Sequence, residues 1–354
     1  VVGEGGNVFH SLRRDHVPQC FWRGKRVAFE GSMYAVDKVD HATRHVRVSP
    51  DDSDVMPDYR PGRRVQVSSP RSRWVRTLES RREELANGDT LHCDAFRLDF
   101  SVQGDDVVVS RDHWAGEPTI EPMPDSARSY RAGRAVRLAF TCADGQPLLS
   151  PGAAVALAAW LNEAAVTLLP EVASFVLAAP EVTDAQRPTD AIARRVLPQL
   201  ALPPGQQQDA SAAAAAPAAA AADATANLPP GPAVWVFEDS NGDLGIARAV
   251  TDGRWYLLDV CYDWLCWMLD ESDAALPDDG RCLIGGIRPA ADWLAYGRRL
   301  RDPAIDLGAL RTLLRRHVAQ FQEVGPRRGR PGPPLLEGAA HALAGTCDFC
   351  GCEL

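Results

Sequence analysis

"FRLDFSVQGDDVVVS" covers residues 96–110, and how it is read sets the fold class. Phe96, Leu98, Phe100 and Val102 occupy every second position, the period of a strand with one face turned to a core. Gln103, Gly104, Asp105 and Asp106 then break the alternation with turn-forming residues. The stretch therefore predicts a hairpin whose return strand is Val107–Ser110. "AVRLAFTC" (135–142) alternates again and runs into the turn "ADGQ". An antiparallel sheet is the frame on which the rest is placed.

Toward the N-terminus, "RVAFE" (26–30), "MYAVDKV" (33–39) and "RHVRVS" (44–49) are separated by the short polar turns "GS" and "DHAT", and "RRVQVS" (63–68) adds a fourth strand. Together they predict an SH3-like β-meander at about 21–68. A helix is expected over 70–86, with Pro70 near its start, Trp74, Leu78 and Leu85 on one face and Asn87-Gly88 closing it. Further on, "SPGAAVALAAWLNEAAVTLL" (150–169) predicts a helix with Ser150 as N-cap and Pro151 at its first position. Its stripe of Leu157, Trp160, Leu161, Ala164 and Leu168 is a core face. Asn162 and Glu163 at its centre argue against a membrane span.

Between 198 and 232 the composition turns to Ala, Pro and Gln, with almost no large apolar side chain. Such a tract cannot offset its ordering entropy by burial, and reads as a linker. A second meander follows: "AVWVF" (233–237), "LGIARAV" (244–250) and "RWYLLDV" (254–260). After it come a helix "CYDWLCWML", a strand "RCLIGGI" (281–287) and helices near 289–300 and 306–324, the last capped by Asp306. The expected fold is α+β in two domains, 1–197 and 233–324. Each is a small antiparallel meander or partial barrel with packed helices, joined by the Ala/Pro-rich linker. Residues 325–354 form a basic Gly/Pro spacer and a cysteine-rich tail.

At 354 residues, 45% hydrophobic and 24% charged, the composition is that of a soluble globular protein. The net charge of -9 repels nucleic acid and acidic membranes as a whole. Residues 1–85 hold 16 Arg and Lys against 12 Asp and Glu, too small an excess to argue nucleic-acid binding. Lys25 and Lys38 are the chain's two lysines, and the other 36 basic residues are arginine. That ratio, with the abundant Ala, Gly and Pro, fits a GC-rich genome. Arginine also suits bidentate contacts at protein–protein surfaces.

Four stretches carry candidate chemistry. Cys347, Cys350 and Cys352 make C-x2-C-x-C, with His341 six residues upstream. C-x2-C sets two thiolates on one edge of a tetrahedron, so zinc is the candidate cofactor, with His341, Cys282 or Cys261 as fourth ligand. "DVCYDWLCW" (259–267) sets a cysteine before an aromatic residue where a helix starts after an extended segment. In this it resembles the papain-like thiol proteases, and the resemblance implies Cys261 or Cys266 as nucleophile and His317 as base. "DSNGD" (239–243) spaces Asp239, Asn241 and Asp243 as in a calcium loop, but Leu244 and Val250 stand where Gly and Glu are needed, so a hairpin turn on Asn241-Gly242 is expected. "SRDHWAGE" (110–117) gathers Asp112, His113 and Glu117, and His41 and His45 share a turn; both read as polar loops. No phosphate-cradling glycine loop and no internal repeat is present in the sequence.

The leading expectation is a non-enzymatic structural or interaction protein in a large assembly such as a virus particle. A first residue of Val, as in a chain released from a precursor, and Arg-rich, Trp-bearing surfaces support it. Its partners would be other protein subunits, with no membrane and no strong nucleic-acid signal. With no signal peptide in the sequence, it would lie in the cytoplasm or within the virus particle. A papain-like protease and a zinc-binding interaction module using the C-terminal tail are the alternatives.

Overall fold

The structure, a computed structural model, describes residues 1–3, 6, 8–11, 16–29, 31–53, 57–67, 76–84, 87–110, 118–122, 127–168, 173–201, 228–229, 231–270 and 302–324. The fold is mixed α+β and its sheets are mostly antiparallel. Strands β1 (Arg26–Phe29), β2 (Ser32–Asp40) and β3 (His45–Pro50) form a three-stranded antiparallel sheet, as the meander predicts. The fourth expected strand lengthens into β4 (Asp58–Val67) but belongs to a second sheet.

That second sheet is organised by β6 (Thr90–Ser110), and here the hairpin expectation is corrected. Residues 96–110 form one continuous strand with no reversal at Gly104. The polar interruption is absorbed as a bulge: Pro61 faces Val107 and Arg63 faces Gly104, so Asp105 and Asp106 stand opposite Gly62 alone. Gly62 suits that place because a Cβ there would lie 3.0 Å from Asp106 O and 3.1 Å from Arg195 O. One edge of β6 is paired by β4 and by β5 (Arg76–Glu84), the other by β8 (Arg128–Thr141) and β7 (Thr119–Pro122). β5 replaces most of the helix expected over 70–86. Pairing along residues 90–97 of β6 overrides its local helix propensity, and Leu78 is left 41% exposed.

The path β4-β6-β8 continues through β11 (Val234–Glu238) to β9 (Val176–Pro180), and at its other end β10 (Gln199–Ala201) pairs parallel to β4. β11 was expected to open a second domain. It lies instead between β8 and β9, so chain on both sides of 198–232 builds one sheet. β9 and β10, the two ends of the path, lie against each other, and the sheet curls toward a closed barrel. Its inner face is rich in rings: Phe96, Phe100, Tyr130, Trp235 and Phe237 cluster with Val65, Leu98 and Leu200.

Helices cover the opposite face. α1 (Val17–Cys20) and α3 (Ala191–Val196) are short; α2 (Pro151–Leu168), α4 (Ile246–Asp270) and α5 (Leu307–Val324) are long and pack on one another and on the sheet. Both expected caps form, with Ala153 N donating to Ser150 Oγ at 3.1 Å and Ala309 N to Asp306 Oδ1 at 2.8 Å. α2 buries its stripe through Leu157 and Trp160. α4 corrects the strands expected at 244–250 and 254–260. Ile246, Ala249, Val250, Leu257, Leu258, Cys261 and Leu265 are all buried, a helical spacing that faces the sheet. The strand at 281–287 and the helix near 289–300 lie outside the described residues. Among the described residues, no helix is long and apolar enough to cross a membrane.

Candidate functional site

Two groups of charged side chains stand out, one at a mouth of the curled sheet and one on its rim. At the mouth, Asp239 follows directly on β11 and is fully buried. Arg128, at the start of β8, grips it with Nε 3.1 Å from Oδ1 and Nη2 2.5 Å from Oδ2. Arg63 of β4 places Nη1 3.5 Å from Oδ2 and 2.7 Å from Ser174 O. The Tyr130 hydroxyl donates to Oδ1, and Gln19 Nε2 of α1 donates to Asp239 O at 2.9 Å. The carboxylate thus ties β4 and β8 to the end of β11, and the Asp239 carbonyl adds α1. Burial and the nearby Asp239 charge push the Tyr130 phenol well above its usual range.

Lys25 stands beside this group. The turn at Gly24 (φ 86°) fixes it: Gly24 N donates to Val36 O at 2.7 Å and Val36 N to Lys25 O at 2.9 Å. The ammonium donates to Cys20 O at 2.7 Å, 4.5 Å above the Trp22 ring and 5.9 Å from that of Tyr59. Burial pushes its pKa down to about 8, with the Arg63 charge acting in the same direction against the attraction of Cys20. The Cys20 thiol is pushed up by its own burial, which outweighs Lys25, Arg63 and Arg128. Among the described residues, Arg63 and Arg128 pair with the carboxylate of Asp239, and the charge of Lys25 stands near that of Arg63.

The rim group is made of arginines on three elements. Gln199 of β10 faces Arg64 of β4 in the parallel pairing. Gln199 Oε1 accepts from Arg187 Nη1 at 2.8 Å, and Leu200 O accepts from Nη2 at 3.0 Å. Asp184 pairs with the same guanidinium at 3.0 Å, its carboxylate 82% exposed. Arg194 projects from α3, which is capped by Asp190 accepting from Ile192 N and Ala193 N at 3.0 and 2.7 Å. Asp302 clasps the approach to that helix by accepting from Thr189 N and Asp190 N, each at 2.7 Å. Burial lowers the Arg187 pKa; Asp184 opposes this, and the like charges of Arg194 and Arg64 add to it. Val155, Pro180, Arg187, Arg194, Leu197 and Leu200 line a cleft between α2, β9, α3 and β10. Arg64 and Arg194 are exposed. The Arg187 guanidinium is held by Gln199 and Leu200 beside two exposed arginines, a positive rim that suits contact with an anion.

The residues singled out in the sequence fall elsewhere. Cys261 lies in the middle of α4 rather than at a helix N-terminus; it is fully buried, and burial pushes its thiol up to about 12. His317 Nδ1 lies 2.7 Å from Leu313 O, its ring edge-on to Phe140 and its pKa lowered by burial. These are core side chains without the electropositive, part-exposed setting that activates a thiol, and Cys266 is further along the same helix. Asp239, Asn241 and Asp243 lie on a turn that leads into α4, where Glu238 Oε1 accepts from Leu244 N at 2.5 Å; the expected hairpin gives way to a helix start. His41 and His45 are exposed. Asp112, His113, Glu117, Cys282, His341, Cys347, Cys350 and Cys352 lie outside the described residues, and the described ones hold no group of His, Cys, Asp or Glu able to take a metal. Arg63, Arg128, Arg187 and Arg194 went unmarked because arginine is spread through the whole sequence. Only "GRR" (62–64) and "ARR" (193–195) hint at local density.

No family model and no curated protein matches the chain. Two solved structures do: "DUF1998 helicase MrfA bound to DNA", at 12% identity over 78% of this chain with a TM-score of 0.28, and the same helicase bound to DNA and AMPPNP, at 12% identity over 72% with a TM-score of 0.22. The matched parts make up 30% and 24% of those chains, so this chain spans well under half their length. The expectations of a capsid-associated structural protein and of a partner set without nucleic acid are corrected on this finding. What matches is a DNA-bound helicase, and neither match is a virus-particle component. At such TM-scores the likeness establishes no shared fold.

Proposed function

We propose that this chain is a nucleic-acid-binding domain that holds a phosphate backbone on the arginine rim formed by Arg64, Arg187 and Arg194. One observation carries the reading: Arg187 and Arg194 line one cleft, the like charge of Arg64 acts on Arg187 from β4, and Arg187 is fixed there by Gln199 and Leu200. Converging cations repel one another, and a phosphodiester relieves that repulsion with bidentate, charge-assisted hydrogen bonds. The net charge of -9 works against non-specific adsorption elsewhere, so contact is confined to the rim. Contact from guanidiniums to phosphate is indifferent to sequence.

Fluorescence anisotropy with labelled single-stranded and duplex oligonucleotides tests this across a salt series. Binding should weaken as salt rises, with a log–log slope of about 0.9 per phosphate neutralised on duplex. The exposed pair R64A/R194A should lower the slope by about two contacts and weaken binding uniformly across sequences. No binding at low salt, or an unchanged slope in the double variant, would overturn the proposal.

A further inference from the structure

Of the rim arginines, Arg187 already carries an anionic oxygen: Asp184 Oδ1 lies 3.0 Å from its Nη1. The two partners are held very differently. Gln199 Oε1 and Leu200 O accept from Arg187, whose side chain is 14% exposed. The Asp184 side chain is 82% exposed. It sits on the single turn Asp184–Gln186, which Thr183 N closes by donating to Gln186 Oε1 at 3.0 Å, so the turn does not depend on the carboxylate. An ion pair this exposed, between residues so close in the chain, contributes little to stability. Its oxygen comes to the guanidinium from the solvent side, as a phosphate oxygen of a bound strand would.

We propose, resting on the reading of the rim given above, that Asp184 is a competitor built into the same site. Its carboxylate stands on Arg187 in place of a phosphate oxygen and swings into water when nucleic acid binds. Gln199 and Leu200 keep the guanidinium in place when the carboxylate leaves, so the exchange breaks one exposed ion pair and does not rearrange the cleft. A lone monoanion gains at Arg187 little more than Asp184 gives up. A backbone that also reaches Arg64 and Arg194 makes two further contacts within the same molecule, and so displaces the carboxylate. Asp184 therefore sets the rim to take polyanions and to refuse small anions.

The test compares the full chain with D184N, D184E and D144N, by anisotropy of a labelled single-stranded oligonucleotide at low salt. Asp144, exposed on the turn after β8, supplies the same loss of charge away from the rim. D184N should bind about two- to five-fold tighter than the parent, the span that an exposed ion pair allows. D184E keeps the charge and should bind as the parent does, and D144N should gain far less than D184N. The D184N gain should shrink as salt rises and screens the pair. Binding by the parent with a D184N gain no larger than that of D144N would overturn the competitor and leave the rim reading standing. An equal gain in D184E would also overturn it, by placing the cause in the turn rather than in the charge. Failure of both the parent and D184N to bind would overturn the rim reading and the competitor together.

Discussion

At the residue scale, Asp239 shows how one side chain changes meaning once the chain folds. In the sequence it opens "DSNGD" and reads as the edge of a turn. In the structure it is fully buried and joins Arg63, Arg128, Tyr130 and Gln19 from three elements. Nothing local announces this, because its partners lie more than 100 positions away and arginine is common throughout. Asp239→Ala would leave two nearly buried guanidiniums uncompensated, and breaking a buried ion pair this way costs about 3–5 kcal/mol. Urea unfolding of D239A should show that loss as a lower midpoint with an unchanged slope. A midpoint within error of the parent would mean that water reaches the cluster and replaces the carboxylate. The core positions were easier to read: Leu157, Trp160 and Phe100 declare themselves by period alone.

At the element scale, the lesson lies in what interrupts a pattern. Gly104, Asp105 and Asp106 look like a turn, and Asn241-Gly242 looks like a hairpin. The first is a bulge within β6, because β4 supplies hydrogen-bond partners on both sides of it. The second leads into α4, because Glu238 folds back to accept from Leu244 N at the helix entrance. Burial, and secondarily Asp243, push the Glu238 carboxyl up to about 7 from 4.5 in the free side chain, while the Leu244 and Ala247 amides and Arg134 pull the other way. The folded form therefore keeps its proton at pH values where the unfolded chain has lost it. The resulting stability is full below about pH 4.5, falls as pH rises to about 7 and is level above. Glu238→Gln should remove that slope, raising stability at pH 8 by on the order of 1–3 kcal/mol while changing it little at pH 4.5. Thermal unfolding of both proteins at the two pH values checks it, and equal gains at both would assign the effect to packing instead.

At the scale of the whole molecule, the Ala/Pro-rich stretch suggested a division that the sheet does not respect. Composition marks where chain is not spent on core, and it says nothing about where the segments on either side return. β11 returns to lie between β8 and β9, and its Val234, Val236 and Phe237 are buried against both. α4 and α5, which follow it, pack on α2 from before the stretch. Neither side can therefore cover its own apolar surface. Removing residues 233–324 would strip α2 of two helix neighbours and leave the β8 and β9 edges unpaired, a state prone to aggregation. A chain with a specific protease site introduced between residues 202 and 227 should, after cleavage, remain one particle on gel filtration. It should part into two pieces only in denaturant, and the intact chain should unfold in a single transition by circular dichroism and tryptophan fluorescence. Pieces that separate without denaturant, or two resolved transitions, would show that the pairing of β11 contributes little. In that case the sequence's own punctuation would mark the true units of stability.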